Sequence, residues 1–251
     1  MTTALDVDVD GAPDEPAPAP LALYDVRAGY GRIEVLHRVD LVVRRGAVTA
    51  LLGPNGAGKT TALSVMSGLI RPTAGCRHVE GQHVNDADAD ALARIGICHV
   101  REGRSVFPNL TVEDNLVVAA ACGAPKERLF EVAFSLFPRL QERRKQLAGT
   151  LSGGEKQMLA LASGLGTDPY VLLVDELSMG LAPLVVGELY ESVAEVAAAG
   201  VAVLVVEQFA TIGLRYATHV CVMSHGTIGY AGPPEDAMDA IHAAYLGGDP
   251  R

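Results

Sequence analysis

The sequence predicts an α/β fold built on a mostly parallel sheet around a phosphate-binding loop. Three observations predict it. Gly53-Pro54-Asn55-Gly56-Ala57-Gly58-Lys59-Thr60-Thr61 fits G-x-x-x-x-G-K-[ST] without mismatch. It lies between Val48-Thr49-Ala50-Leu51-Leu52, which reads as a buried strand, and Ala62-Leu63-Ser64-Val65-Met66, which reads as a helix. Further on, the runs 171–174 and 201–206 are apolar at every residue, as strands buried on both faces are, and an amphipathic helix separates them. Strand–helix–strand with such a loop implies ligands at the C-terminal ends of parallel strands.

The loop's chemistry follows from residue type. Glycines let the backbone turn tightly and approach a phosphate with no Cβ in the way. Inward N–H groups and the helix N-terminus then favour an anion. Lys59 is placed to reach the β- and γ-phosphates, and Thr60 to offer its hydroxyl to Mg²⁺.

At 251 residues the chain fits one large domain, or a domain with a subdomain. Residues 1–20 are rich in Asp, Ala and Pro and are expected to form a disordered tail. No basic and apolar leader pattern is visible at the N-terminus. Residues 21–52 read as short strands broken at Gly29, Gly31 and Gly46, with Tyr30 between two glycines. Residues 71–100 give a turn over 71–75, a hairpin around Gly81, a polar stretch Asn85–Asp90 and a strand over 95–98. Residues 101–150 read as a mostly helical insertion holding Phe107, Phe130, Phe134 and Phe137. Exposed aromatics there would suit a partner, although helix-spaced Phe more often packs in a core.

The helix between the two apolar strands places Val186, Leu189, Val193 and Val196 on one face, with Glu188, Glu191 and Glu195 on the other. Gly200 stops it. Residues 219–247 read as strand, turn, strand and a short helix. The longest strand-like apolar run, 201–206, is far below the ~18 residues of a membrane span. Four scattered cysteines, Cys76, Cys98, Cys122 and Cys221, form no CxxC pair, which fits a reducing compartment and argues against a zinc site. A net charge of −10 argues against a reader of nucleic-acid backbone.

Two further stretches carry chemistry. Asp175-Glu176 ends the strand that begins at Val171, and consecutive extended residues point to opposite sides. Asp175 therefore suits a metal, directly or through water, and Glu176 suits polarising the water that attacks a γ-phosphate. Leu151-Ser152-Gly153-Gly154-Glu155-Lys156-Gln157 then opens an apolar helix. Ser152, Gly153 and Gly154 form a second anion-binding helix start in a chain that already has one.

In this order, phosphate loop, Leu-Ser-Gly-Gly-Glu and strand-Asp-Glu, the chain resembles the nucleotide-binding domain of ABC transporters over roughly residues 21–247, leaving 248–251 as a tail. The resemblance implies a RecA-like P-loop core, an N-terminal antiparallel β subdomain and a helical subdomain over roughly 101–165. It implies a Mg²⁺-dependent ATPase in which two domains pack head-to-tail and sandwich ATP, with Ser152, Gly153 and Gly154 completing the site of the other chain. Tyr30 matches the aromatic that stacks on adenine. The implied partners are membrane permease subunits, a sister ATPase or second copy, and indirectly an extracytoplasmic solute-binding protein. The implied place is the cytoplasmic face of the cell membrane.

Finer residues resemble the ATPases of branched-chain amino acid importers: the stretch Val100–Leu116, Ser178-Met179-Gly180-Leu181-Ala182-Pro183 and Val206-Glu207-Gln208. Arg101 stands where that group usually has proline, and Leu177 where many ABC domains do. Glu102 occupies the place of the glutamine that touches Mg²⁺ and the attacking water, and an ionised carboxylate accepts but does not donate. Gln208 occupies the place of a switch histidine; its amide donates to a γ-phosphate but carries no proton. Glu176 is left as the main candidate for water activation. The alternatives are the same machine moving urea, amides or another small organic solute, a soluble non-transport ABC ATPase, or a regulatory nucleotide-binding module. One P-loop, the absence of a long insertion and intact Lys59, Asp175 and Glu176 oppose the last two.

Overall fold

The computed structural model describes residues 18–103, 105–120 and 124–246. A six-stranded sheet forms the centre. Its order is β10 (Thr227–Gly232), β9 (His219–Ser224), β3 (Val48–Leu52), β8 (Ala202–Glu207), β7 (Val171–Asp175) and β6 (Ile97–Val100). All neighbours are parallel except β9 and β10. A second, antiparallel sheet has the order β2 (Ile33–Val43), β1 (Leu21–Tyr30), β4 (Ala74–Val79) and β5 (Gln82–His83). The mixed architecture matches the sequence reading.

Alternation along the central strands builds two cores at once. Leu172, Val174, Val203 and Val205 face the helical layer, formed by α3 (Val112–Ala120), α4 (Lys126–Leu136), α5 (Pro138–Glu142), α6 (Gly153–Leu165) and α7 (Pro183–Ala198). Val171, Leu173, Leu204 and Val206 face the antiparallel sheet and α1 (Lys59–Met66). On α7, Val186, Leu189 and Val193 are buried and Val196 packs beside them. A third cluster joins β3 and β9 to α8 (Ala210–Tyr216) and α9 (Met238–Leu246). Among the described residues no helix is long and apolar enough to cross a membrane.

Arg77 is fully buried and locks α1 to the antiparallel sheet. Its guanidinium donates to the Val65 carbonyl near the helix end (2.5 Å), to Val84 (2.8 Å) and to Ala87. The helix that follows the phosphate loop is thereby anchored near its C-terminal end.

Several local readings need correction. Residues 21–43 are two long strands, not short ones. Gly29 continues β1, and irregular pairing near Asp25 (φ 51°) and Arg38 (φ 59°) absorbs the twist that the sequence presents as breaks. The strand expected at 95–98 runs over Ile97–Val100, because Ile95 caps α2 (Ala89–Arg94) and Gly96 turns at φ 89°. Of the tail expected over 1–20, residues 1–17 lie outside the described residues, as do 247–251, Arg104 and Cys122. Pro20 is buried, and its carbonyl accepts from the Glu80 N–H at 3.3 Å, so order begins earlier than composition implies.

Of the four phenylalanines in the helical region only Phe107 stands out into solvent. Phe137 is core, while Phe130 and Phe134 stack at 5.8 Å with the Arg144 guanidinium 4.9 Å from the Phe130 ring.

Candidate active site

The loop 53–58 connects the C-terminal end of β3, at the middle of the sheet, to α1. Gly53 passes so close to β9 that a Cβ would lie 2.2 Å from the Met223 carbonyl oxygen, so only glycine fits. Gly58 starts α1 with φ 107°, a left-handed conformation. No acidic residue lies in the first turn of α1, so the positive end of the helix is not neutralised from within. The Lys59 ammonium is buried and donates to the carbonyls of Gly53 (2.8 Å) and Pro54 (3.1 Å), curling over its own loop. Burial lowers its pKa, opposed by the negative charges of Glu176, Asp175 and Glu207. Asn55, Gly56 and Thr60 are exposed at the rim, and Pro54, Ala57 and Thr61 line the loop beneath.

Next to β3 in the sheet, β8 and β7 deliver the carboxylates. Asp175 is the last residue of β7 and 5 % exposed. Its Oδ1 is buried without a hydrogen-bond partner. Burial, and then the charges of Glu176 and Glu102, push its carboxyl up to about 6, while the Thr60 side chain and Lys59 pull the other way. Glu176 leaves the strand at φ 48° with its side chain half-buried. Its backbone N–H donates to the Val206 carbonyl at 3.1 Å.

Glu102 is exposed in the loop after β6, where the Ser105 hydroxyl bridges the N–H (2.9 Å) and carbonyl (3.0 Å) of Arg101. The sequence-predicted residues Lys59, Thr60, Asp175, Glu176 and Glu102 thus act on one another electrostatically, brought together from β3–α1, β7 and β6.

Gln208 follows β8, and its carbonyl accepts from the Tyr245 hydroxyl of α9 at 2.6 Å. Tyr245 also feels the Gly53 N–H, so α9 braces the loop and Gln208 together. Nothing in the sequence marks Tyr245; the contact spans 37 positions. Glu207, which the sequence reading gave no role, closes β8 and is 1 % exposed.

Tyr30 and Ser152 lie outside this cluster. Tyr30 is 54 % exposed at the tip of the β1–β2 hairpin, opposite Ile33. Ser152 is the N-cap of α6. Its Oγ accepts from the Glu155 N–H (3.3 Å) and donates to Glu155 Oε2 (2.9 Å), and that carboxylate in turn accepts from the Ser152 N–H (2.9 Å), a complete capping box. The cleft beside Ser152, Gly153 and Gly154, of about 260 Å³, is lined by Gly180, Leu181, Ala182, Val185 and Arg139, and by no residue of the loop 53–61. This helix start opens into a cleft separate from the loop 53–61.

Comparison with known proteins gives the same answer as the geometry. The family model described as ABC transporter matches residues 36–178. The chain is 37 % identical over 232 residues to the high-affinity branched-chain amino acid transport ATP-binding protein BraG of Pseudomonas aeruginosa, covering 91 % of this chain and 100 % of that one. It is 31 % identical to the probable branched-chain amino acid transport ATP-binding protein LivF of Archaeoglobus fulgidus, over 85 % of this chain and 92 % of that one. Among solved structures it is similar to the ADP conformation of MJ1267, an ATP-binding cassette of an ABC transporter. There the TM-score is 0.81 at 25 % identity, covering 90 % of this chain and 98 % of that one. The family match over residues 36–178 and the full-length similarity to BraG place the chain in the ABC transporter ATPase family.

Proposed function

We propose that this chain is the ATP-hydrolysing subunit of an importer for branched-chain amino acids, working as one of a head-to-tail pair on membrane permeases at the cytoplasmic face. The observation that supports the ATPase best is the buried Lys59 ammonium over the loop 53–58, acted on by Asp175 and Glu176 from the neighbouring strand. The solute rests on the full-length similarity to BraG. Reconstitution with its membrane permeases, followed by uptake of labelled leucine, isoleucine and valine into vesicles, tests it. ATP-dependent uptake of urea or amides, with none of the three amino acids, refutes the solute and leaves the ATPase.

In this reading the Tyr30 ring stacks on adenine. The N–H groups of 55–60 and the Lys59 ammonium hold the β- and γ-phosphate oxygens, and the Gln208 amide donates to a γ-oxygen. Glu176 accepts a proton from water as the water oxygen bonds to the γ-phosphorus and the bond to the bridging β–γ oxygen breaks, giving ADP and phosphate. The donor set also fits Mg²⁺: Asp175 offers a buried, unpartnered Oδ1, faces Thr60 and sits among uncompensated carboxylates, with Glu102 at the rim. When bound, the ion neutralises phosphate charge. Ser152 and the N–H groups of Gly153 and Gly154 serve the nucleotide of the other chain. Exposed Phe107, held against α3 by Asn115 (N–H to Oδ1, 2.7 Å), and exposed Val117 and Val118 supply an apolar face for the permease.

Asp175→Asn removes one of three clustered negative charges. In EDTA its melting temperature is expected to rise above the parent's, while Mg²⁺-dependent hydrolysis is lost; a variant that melts lower and still gains stability from Mg²⁺ contradicts the assignment. Ser152→Asp still accepts from the Glu155 N–H as an N-cap but loses the hydroxyl that donates to Glu155 Oε2, so a melting curve accompanies the assay. The substitution sets a carboxylate against the neighbour's triphosphate. ATP affinity of the isolated chain is expected to stay the same, while hydrolysis in the assembled transporter falls by about tenfold or more. Equal loss of both argues against completion by the other chain.

A further inference from the structure

Glu176 holds φ 48°, a left-handed conformation that a non-glycine residue keeps only where its surroundings fix it. The fixing groups lie on β8. One is the Val206 carbonyl, which accepts from Glu176 itself. The other is the carboxylate of Glu207. Two residues beyond Glu176, the Ser178 N–H donates to Glu207 Oε1 at 3.0 Å, and the Ser178 hydroxyl to Oε2 at 2.6 Å. From α7 the Tyr190 hydroxyl donates to Oε1 at 2.7 Å. Glu207 and Tyr190 are each 1 % exposed and Ser178 4 %. Tyr190 is itself braced by Tyr216 at the end of α8, the rings stacked at 4.7 Å.

We propose that Glu207 is a positioning residue for hydrolysis: it clamps the segment 176–178 to the end of β8, aiming the Glu176 carboxylate, and ties that aim to the strand end from which Gln208 leaves. The proposal rests on the reading of Glu176 as the residue that activates water. Burial pushes the Glu207 carboxyl above its usual range, and three donors from Ser178 and Tyr190 satisfy its oxygens and pull the other way. An apolar side chain would finish the strand without burying a charge. What the carboxylate adds is a single geometry for a loop whose backbone otherwise relaxes out of the left-handed region. The clamp makes no hydrogen bond to the loop 53–61, and Glu207 acts on Lys59 only through its charge, behind Glu176 and Asp175, so its loss falls mainly on the chemical step.

The test is steady-state ATP hydrolysis by the transporter assembled with its permeases. Glu207→Ala is expected to lower kcat by about tenfold or more with KM for ATP within about twofold, the pattern of an interaction that matters in the transition state. Glu207→Gln keeps Oε1 for the Ser178 N–H and Tyr190, and its amide donates to the Ser178 oxygen. It is expected to restore kcat to within about threefold of the parent. If Glu207→Ala does not assemble, Tyr190→Phe removes one donor with the fold intact and is expected to lower kcat by about two- to threefold at constant KM.

An unchanged kcat in Glu207→Ala or Tyr190→Phe, a KM that rises in step with the loss, or a glutamine variant as impaired as the alanine one overturns the proposal. Normal hydrolysis by Glu176→Gln would instead overturn the reading beneath it. Inactive Glu176→Gln beside fully active Glu207→Ala sinks the positioning role alone.

Discussion

Lys59→Ala is expected to lower ATP affinity by roughly 100-fold, about 3 kcal/mol, the scale of losing charge-assisted hydrogen bonds to a buried anion. The structure explains why no neighbour substitutes. Lys59 is the ammonium over the loop, buried and already desolvated, with its Nζ held 2.8 Å from the Gly53 carbonyl. Its charge needs only to exchange carbonyl partners for phosphate oxygens. The backbone N–H groups of the loop remain in the variant, so a weak residual affinity persists. Isothermal titration of the isolated chain with ATP, alongside a melting curve to show that α1 is intact, checks this. Affinity within a few-fold of the parent would mean that the backbone cradle alone holds the nucleotide.

Glu176→Gln is expected to cut hydrolysis by about 10²–10⁴-fold, the usual worth of a general base, without weakening ATP binding. The amide has the shape of the carboxylate, and the φ 48° backbone is held from β8 rather than by the side chain, so geometry survives while basicity is lost. Bound ATP then persists and the closed pair accumulates. Single-turnover hydrolysis and size-exclusion chromatography in Mg²⁺-ATP read the two effects separately. Ordinary turnover would move the role to another group, and Glu102 is the carboxylate that also acts on Asp175.

What the sequence disclosed divides by range. The phosphate loop was legible because its chemistry is local: glycine spacing, a strand before, a helix after. Asp175 and Glu176 were legible because an all-apolar strand that ends in two acids leaves them few other places to point. The bulged strands β1 and β2 were misread because the residues that bend them, Asp25 and Arg38, do so through cross-strand contacts: the Asp25 N–H donates to Asp40 at 2.8 Å, and Arg38 pairs with Asp25 at 2.5 Å.

Pro20 was assigned to the tail on composition, whereas its order comes from Glu80, sixty positions away in the chain. The braces beneath the site were equally hidden. Glu207 meets Ser178 across 29 positions and Tyr190 across 17, and no periodicity announces either contact. Ser152 was legible as the start of a helix, and it is the N-cap of α6. That its cleft excludes the loop 53–61 is visible only in three dimensions.

In the proposed reading each chain lends the helix start at Ser152 to its neighbour's nucleotide. The direct measurement is a structure of the Glu176→Gln chain docked on its permeases and loaded with Mg²⁺-ATP. The account predicts the Ser152 hydroxyl of one chain within hydrogen-bonding distance of the γ-phosphate held by Lys59 of the other. A triphosphate gripped by a single chain, with Ser152 facing solvent, would contradict it.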